Sequence, residues 1–280
     1  MRPALRLAHG IRAVIFDLDG VLLDNAWVYV EAARRALRHG DLRRQPKTVK
    51  EGRRLLSFVK ELELGNGVPQ GLFVVDRNLT LAHTPTSSKR RPRRRRREEN
   101  NDNESELLQR QFLQRYGATW NRLCLSGSEV MPGAIQTLRL LRSAGIEVGL
   151  VTGRRMPQRQ VENQLNRLGL LHFFGTVVTT ERCVRSKPFP DQLLVAARDV
   201  GIPPCSCAAV GDTPLDVIAA KRAGMHPVAL WSGIYSRSEL RREGPAELLR
   251  NVGELASTLV GSVGLASVFS QALLDIHGVL

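Results

Sequence analysis

The chain has 280 residues, 42% of them hydrophobic and 24% charged, which are ordinary values for a soluble globular protein able to build a sizeable core. The four cysteines (Cys124, Cys183, Cys205, Cys207) form no disulfide framework and no paired metal-binding spacing, and the six scattered histidines, with no helical i, i+4 pair, argue against a histidine-based zinc site. The net charge of +14 is unusual. Lys89 to Arg97 holds eight basic residues in nine, and Glu98 to Glu106 answers with five acidic ones, so this segment contributes +3 and the rest of the chain +11. Arginines outnumber lysines 35 to six, a ratio that codon bias explains as readily as nucleic-acid binding. A basic surface also steers anionic small substrates.

In chain order, Arg2 and Arg6 precede no apolar run long enough for a secretory signal, so the expectation is a reducing, cytoplasmic setting. Ala13 to Phe16 reads as a buried strand. Trp27–His39 and Val49–Leu64 read as helices, the second broken by Gly65-Asn66-Gly67, and Leu72–Val75 as a short strand-like run. Residues 84–105 carry Pro, Ser, Arg, Glu and Asn with nothing apolar to bury, which predicts a disordered or solvated insertion. Helical pattern returns at Leu107–Tyr116.

Regular alternation follows. Helices are expected at 134–144, 157–168, 192–200 and 216–223, and strands at 146–151, 175–178, 207–210 and 228–231. This pattern predicts an α/β fold, a Rossmann-like, doubly wound parallel sheet covered on both faces. The predicted organisation is a core of residues 1–23 and 130–250, an inserted, mainly helical domain at 24–129, and a helical tail at 251–280. Leu255 to Leu274 has no charge, but its Ser, Thr, Gln and Gly make it a packed helix rather than a membrane span.

Four polar clusters fall where such a sheet binds ligands, beyond the carboxyl ends of its strands. Asp17 and Asp19 follow the first strand and precede Gly20; at i and i+2 they point to one side and repel unless a cation or proton relieves them. Thr152-Gly153-Arg154 presents a hydroxyl and amides suited to a phosphate oxygen. Ser186-Lys187-Pro188 supplies a cation, and Gly211-Asp212-Thr213-Pro214-Leu215-Asp216 supplies two more carboxylates. Taken singly, Thr152 could be a helix cap, Lys187 a surface lysine, Asp212 a cap for the helix at Pro214, and Asp216 a first-turn acid favoured by the helix dipole. The order of the set argues against those readings.

This ordered set resembles the haloacid dehalogenase-like hydrolase superfamily, in its branch with a helical cap inserted after the first strand. Gly-Asp-Thr-Pro-X-Asp followed by Ala219-Ala220-Lys221-X-Ala223-Gly224 is most similar to the phosphoglycolate phosphatase group. The basic insertion is not a feature of that family. The resemblance implies a magnesium-dependent phosphatase acting on a small phosphorylated metabolite through an aspartyl-phosphate. It implies Asp17 as nucleophile and Asp19 as acid–base, with Thr152, Gly153 and Lys187 holding the phosphoryl group. Asp17, the Asp19 carbonyl and Asp212 would hold the magnesium ion, with Asp216 binding through water or orienting Lys187. A carboxylate ionised at neutral pH would need no base to activate it.

A sugar-phosphate mutase shares these core residues and differs in the cap. A nucleic-acid or partner-binding protein using Lys89 to Arg97 is a reading of another class. Arg34, Arg53 and Arg77 are candidates to meet a second anionic group of the substrate. A monomer or homodimer is expected.

Overall fold

The structure is a computed structural model, and it describes residues 10–38, 57, 59–61 and 93–255, with side chains left out at 93–106, 108 and 109. Strand β1 (Ala13–Phe16) is buried along its whole length. Strands of a parallel sheet are covered on both faces, and Ala-Val-Ile-Phe offers apolar groups to each. β1 accordingly pairs in parallel with β4 (Glu147–Val151) on one side and β6 (Cys207–Gly211) on the other. β5 (Thr176–Val178), β7 (His226–Leu230) and β8 (Glu247–Leu249) extend a six-stranded sheet in the order β5-β4-β1-β6-β7-β8, with every pairing parallel.

Helices α1 (Ala26–Arg38), α2 (Arg93–Gly127), α3 (Ala134–Ser143), α4 (Gln158–Arg167), α5 (Asp191–Asp199), α6 (Pro214–Arg222) and α7 (Arg237–Arg242) accompany the strands. Ala13, Ile15, Val151 and Ala209 form one hydrophobic cluster with Leu193, Ala196 and Ala197 of α5 and Ala219 and Ala220 of α6. Alternation along β1 sends Val14 and Phe16, both fully buried, to the opposite face. From β1 the chain builds β4 and β5 on one side and then crosses to build β6, β7 and β8 on the other. The carboxyl end of β1 therefore lies at the point where flanking connections diverge, the crevice in which such sheets bind ligands.

The core elements fall close to their sequence-based positions. α6 starts two residues earlier than expected because Thr213 caps it and Pro214, with its fixed φ, occupies the first turn. Three short elements carry no sequence pattern long enough to find: β8, α7, and a two-stranded antiparallel ladder of β2 (Leu23–Asp24) and β3 (Glu129–Val130).

Within the segment 84–105, expected to be disordered or solvated, the chain is helical from Arg93 onward, where α2 begins and runs unbroken to Gly127. The packed part of this helix, with Phe112, Tyr116, Leu123 and Cys124 buried, supplies the costly nucleus. No Gly or Pro occurs between Arg93 and Tyr116, and Arg and Glu are strong helix formers, so propagation back to Pro92 costs little. Residues 84–92, the run Leu72–Val75, most of Val49–Leu64 and the tail from 256 onward lie outside the described residues. Residues 57 and 59–61 are helical.

The chain divides into two units, one comprising Met1–Ala26 with Cys124–Leu280 and the other Trp27–Leu123. Within the second, Tyr29 of α1 meets Trp120 of α2 edge to face, with ring centroids 5.6 Å apart.

Candidate active site

The turn after β1 is built by its own backbone. Leu22 and Leu23 N–H groups both donate to the Leu18 carbonyl, and Gly20 N–H donates to Leu23. Gly20 has φ of 74°, and a Cβ there would come within 2.3 Å of Asp212 Oδ2, so only glycine closes this turn against that carboxylate. Asp17 N–H donates to Val210 of β6 at 2.8 Å, continuing the ladder one residue beyond the strand. This bond sets Asp17 beside the loop that carries Asp212.

That loop leads from β6 into α6. Thr213 caps the helix by accepting from Asp216 N–H, and Asp216 Oδ2 accepts the Thr213 N–H at 3.0 Å and hydroxyl at 2.7 Å. The cap leaves Asp216 Oδ1 facing away from the helix, where Lys187 Nζ reaches it at 2.6 Å. Lys187 also donates to Asp17 Oδ1, so one ammonium joins carboxylates 199 residues' worth of chain apart in two different loops. Its loop is pinned by a turn from Phe189 N–H to Ser186, by Arg222 donating to the Pro188 carbonyl, and by the Arg185 and Arg222 guanidinium groups against the Phe189 ring.

Asp212 is buried, and its Oδ1 has no hydrogen-bond partner among the described residues. Gly233, after β7, lies against the same group: a Cβ there would fall 1.7 Å from Asp212 Oδ2. Ligand oxygens of Asp17, Asp212 and Asp216 all lie within 4.8 Å of one another. Three carboxylates face one ammonium, so ionising all three would leave this pocket two negative charges in excess. An oxygen-only donor set, an unpartnered buried oxygen and that excess fit a divalent cation such as Mg2+.

Electrostatics agree with this surplus. Burial pushes the Asp17 carboxyl up to about 7, against the attraction of Lys187 and with help from Asp216 and Asp19. Burial also raises Asp212 well above the usual carboxylate range, with Asp17 and Asp216 adding to it. Burial opposes the charge on Lys187, but Asp17 and Asp216 overcome it and raise that group above ordinary lysine. Burial thus works against the ionised form of Asp17, and a cation beside it would favour that form.

Asp19 stands apart. Its carboxylate accepts Arg154 Nε at 2.8 Å and an Arg154 terminal nitrogen at 2.5 Å, and it also accepts from Asn25 Nδ2. Thr152 is buried at the end of β4, where its hydroxyl oxygen accepts the Arg154 N–H at 3.3 Å and its carbonyl accepts Gln192 Nε2. The space in front of Gly153 is open, with nothing within 4 Å of a Cβ built there. Asn25, Gln164 and Gly233 were not legible as site residues. The one available signal was a polar or glycine residue next to a strand end or inside a helix's buried stripe.

Arg34, a candidate for a second anion, lines a cavity of about 570 Å3 between α1 and α2 together with Arg35, Arg115 and Arg122. Arg34 and Arg35 both pair with Glu31 there, each at 2.6 Å. Arg53 and Arg77 lie outside the described residues. No helix among the described residues is long and apolar enough to cross a membrane.

A family model for haloacid dehalogenase-like hydrolases matches residues 11–224. The phosphoglycolate phosphatase of Escherichia coli strain K12 is 29% identical over 251 residues, which cover 89% of this chain and 92% of that one. The phosphoglycolate phosphatase of Salmonella typhimurium is 30% identical over 227 residues, covering 80% and 83% respectively. Among solved structures, a haloacid dehalogenase-like family hydrolase from Streptococcus pneumoniae is similar in fold, with a TM-score of 0.64, 15% identity and coverage of 90% of this chain and 100% of that one. The match spans β1 through α6 and takes in Asp17, Asp19, Thr152, Lys187, Asp212 and Asp216. The chain belongs to the haloacid dehalogenase-like hydrolase family.

Proposed function

We propose that this protein is a magnesium-dependent phosphatase that removes the phosphoryl group from a small phosphorylated metabolite, with Asp17 as its nucleophile. One observation carries the reading: the convergence of Asp17, Asp212 and Asp216 around Lys187, with surplus negative charge and an unpartnered Asp212 oxygen. Mg2+ held by Asp17, the Asp19 carbonyl and Asp212 would supply positive charge beside the nucleophile and the phosphoryl oxygens.

Asp17 attacks phosphorus through a carboxylate oxygen, the leaving alcohol departs, and an aspartyl-phosphate forms. Lys187, fixed by Asp216, balances charge on Asp17 and on the incoming phosphoryl group. Thr152 and the amide of Gly153 lie at the neighbouring strand end, placed to hold phosphoryl oxygens. Asp19 protonates the leaving oxygen and then accepts a proton from the water that hydrolyses the intermediate. The unit Trp27–Leu123 would serve as the cap inserted between the two parts of the core, and a cytoplasmic location is consistent with this chemistry. Phosphate release from a panel of phosphomonoesters, with Mg2+ and with a chelator, tests the reading. Magnesium-dependent turnover of one or more esters is expected, and no release from any of them would overturn it.

A further inference from the structure

Among the described residues Arg154 is the largest fully buried side chain, at 2% exposure. A guanidinium keeps its charge even when buried, so a place like this is stable only with partners that fill its fork. The Thr-Gly-Arg run suggests a phosphate ligand, but the side chain turns instead onto Asp19. It meets both carboxylate oxygens, and its remaining terminal nitrogen donates to Gln164 Oε1. Gln164 is itself buried in α4, and its amide nitrogen donates to the Cys124 carbonyl in the last turns of α2. The backbone of Arg154 is held as well, its N–H by Thr152 and its carbonyl by the Thr180 hydroxyl at 3.0 Å. Asn25 completes the enclosure, donating to Asp19 Oδ1 while its own oxygen accepts the Gly20 N–H.

The donors are unevenly shared between the two Asp19 oxygens. Oδ1 receives two, from Arg154 and Asn25, which occupy both of its lone-pair directions. Among the described residues Oδ2 receives one, from Arg154 Nε, which leaves one lone pair to carry a proton. We propose that Arg154 is a positioning residue for Asp19: it fixes the carboxylate so that Oδ2 is the oxygen that passes the proton, and Gln164 fixes Arg154. The proposal rests on Asp19 acting as the acid–base group. The proton balance is simple. Asp19 Oδ2–H gives its proton to the leaving oxygen as the P–O bond breaks. The resulting carboxylate takes a proton from water as the water oxygen bonds to phosphorus and Asp17 is released. Arg154 keeps all of its protons throughout.

A merely structural arginine and a positioning one differ in their leaving-group dependence. An alkyl phosphate needs its leaving oxygen protonated, whereas p-nitrophenyl phosphate needs little help. Steady-state kinetics on both esters, with Mg2+, should show Arg154→Met lowering kcat about 100-fold for the alkyl ester but about threefold for the aryl ester, with KM nearly constant. Arg154→Lys, which keeps the charge but not the fork, should recover part of the alkyl rate. Gln164→Met should shift the two rates in the same sense by about fivefold. In an Asp19→Asn background, Arg154→Met should add no further selectivity. If Arg154→Met fails to fold, the Arg154→Lys and Gln164→Met ratios decide the matter. Equal losses on both esters, or a rise in KM at unchanged kcat, would overturn the positioning role. A wild-type protein inactive on both esters would instead overturn the phosphatase reading and the proposal with it.

Discussion

Asp17 and Asp19 are two residues apart in one turn, yet they sit in opposite electrostatic settings. Asp17 shares a pocket with Asp212 and Asp216, and one lysine answers three carboxylates. Asp19 lies in a neutral enclosure where an arginine fork and an asparagine satisfy it. The first environment is incomplete without added positive charge, and the second is balanced in charge with one Oδ2 lone pair open. A turn of Leu18, Gly20 and the Leu22–Leu23 backbone is enough to separate them, because side chains that leave a strand end diverge as soon as the extended backbone stops. The lesson is that two like acids acquire different chemistry from what their neighbours leave unpaired.

Removing either partner on the Asp17 side should have the larger consequences. Asp17→Asn should lower phosphate release by about 10⁴-fold or more while the protein still melts cooperatively, since the amide keeps the shape and loses the nucleophile. Lys187→Met should cost about 10³-fold in kcat and about 3 kcal/mol of stability in urea titrations, because it strands buried carboxylates. Asp212→Asn should weaken Mg2+ binding at least about tenfold by calorimetry. The same variant should raise the metal-free melting temperature by about 2–4 °C through relief of repulsion. A variant that binds Mg2+ as tightly as wild type would erase the contrast between the two aspartates.

The smallest effect is in pH dependence. The Asp17 pKa is raised from its ordinary 3.8 to about 7, so between those values the folded protein binds more protons than the unfolded chain. Stability of the metal-free protein should therefore fall as pH rises from about 4 to about 7. Saturating Mg2+ should flatten that slope by favouring the ionised carboxylate. A metal-free slope of the opposite sign would mean that Lys187 outweighs burial at Asp17.

Much of this was legible in the sequence, for reasons that differ by element. β1, β4 and β6 are short apolar runs flanked by polar turns, and a fully buried parallel strand leaves that imprint wherever it occurs. Asp17, Lys187, Asp212 and Asp216 were legible only as an ordered set, because Lys187 alone carries no mark of a partner 170 residues away. The Arg154–Asp19 fork spans 135 residues, and Gln164 sits in a helix so polar that its burial leaves no trace in pattern. Gly233 matters through a close approach that only the folded chain creates. The helical course of 93–105 leaves no mark in the sequence, because composition without apolar residues predicts no packing, whereas a helix packed further on can extend through it.

The most direct test of the account is to find the atom that carries the phosphoryl group during turnover. Rapid acid quenching with a phosphoryl-labelled phosphomonoester and Mg2+, followed by peptide mapping by mass spectrometry at acid pH, reads this out. The predicted result is one labelled site, at Asp17, whose label is lost on treatment with hydroxylamine and is missing from Asp17→Asn. Label on another residue during active turnover, or an Asp17→Asn protein that releases phosphate at the wild-type rate, would contradict it.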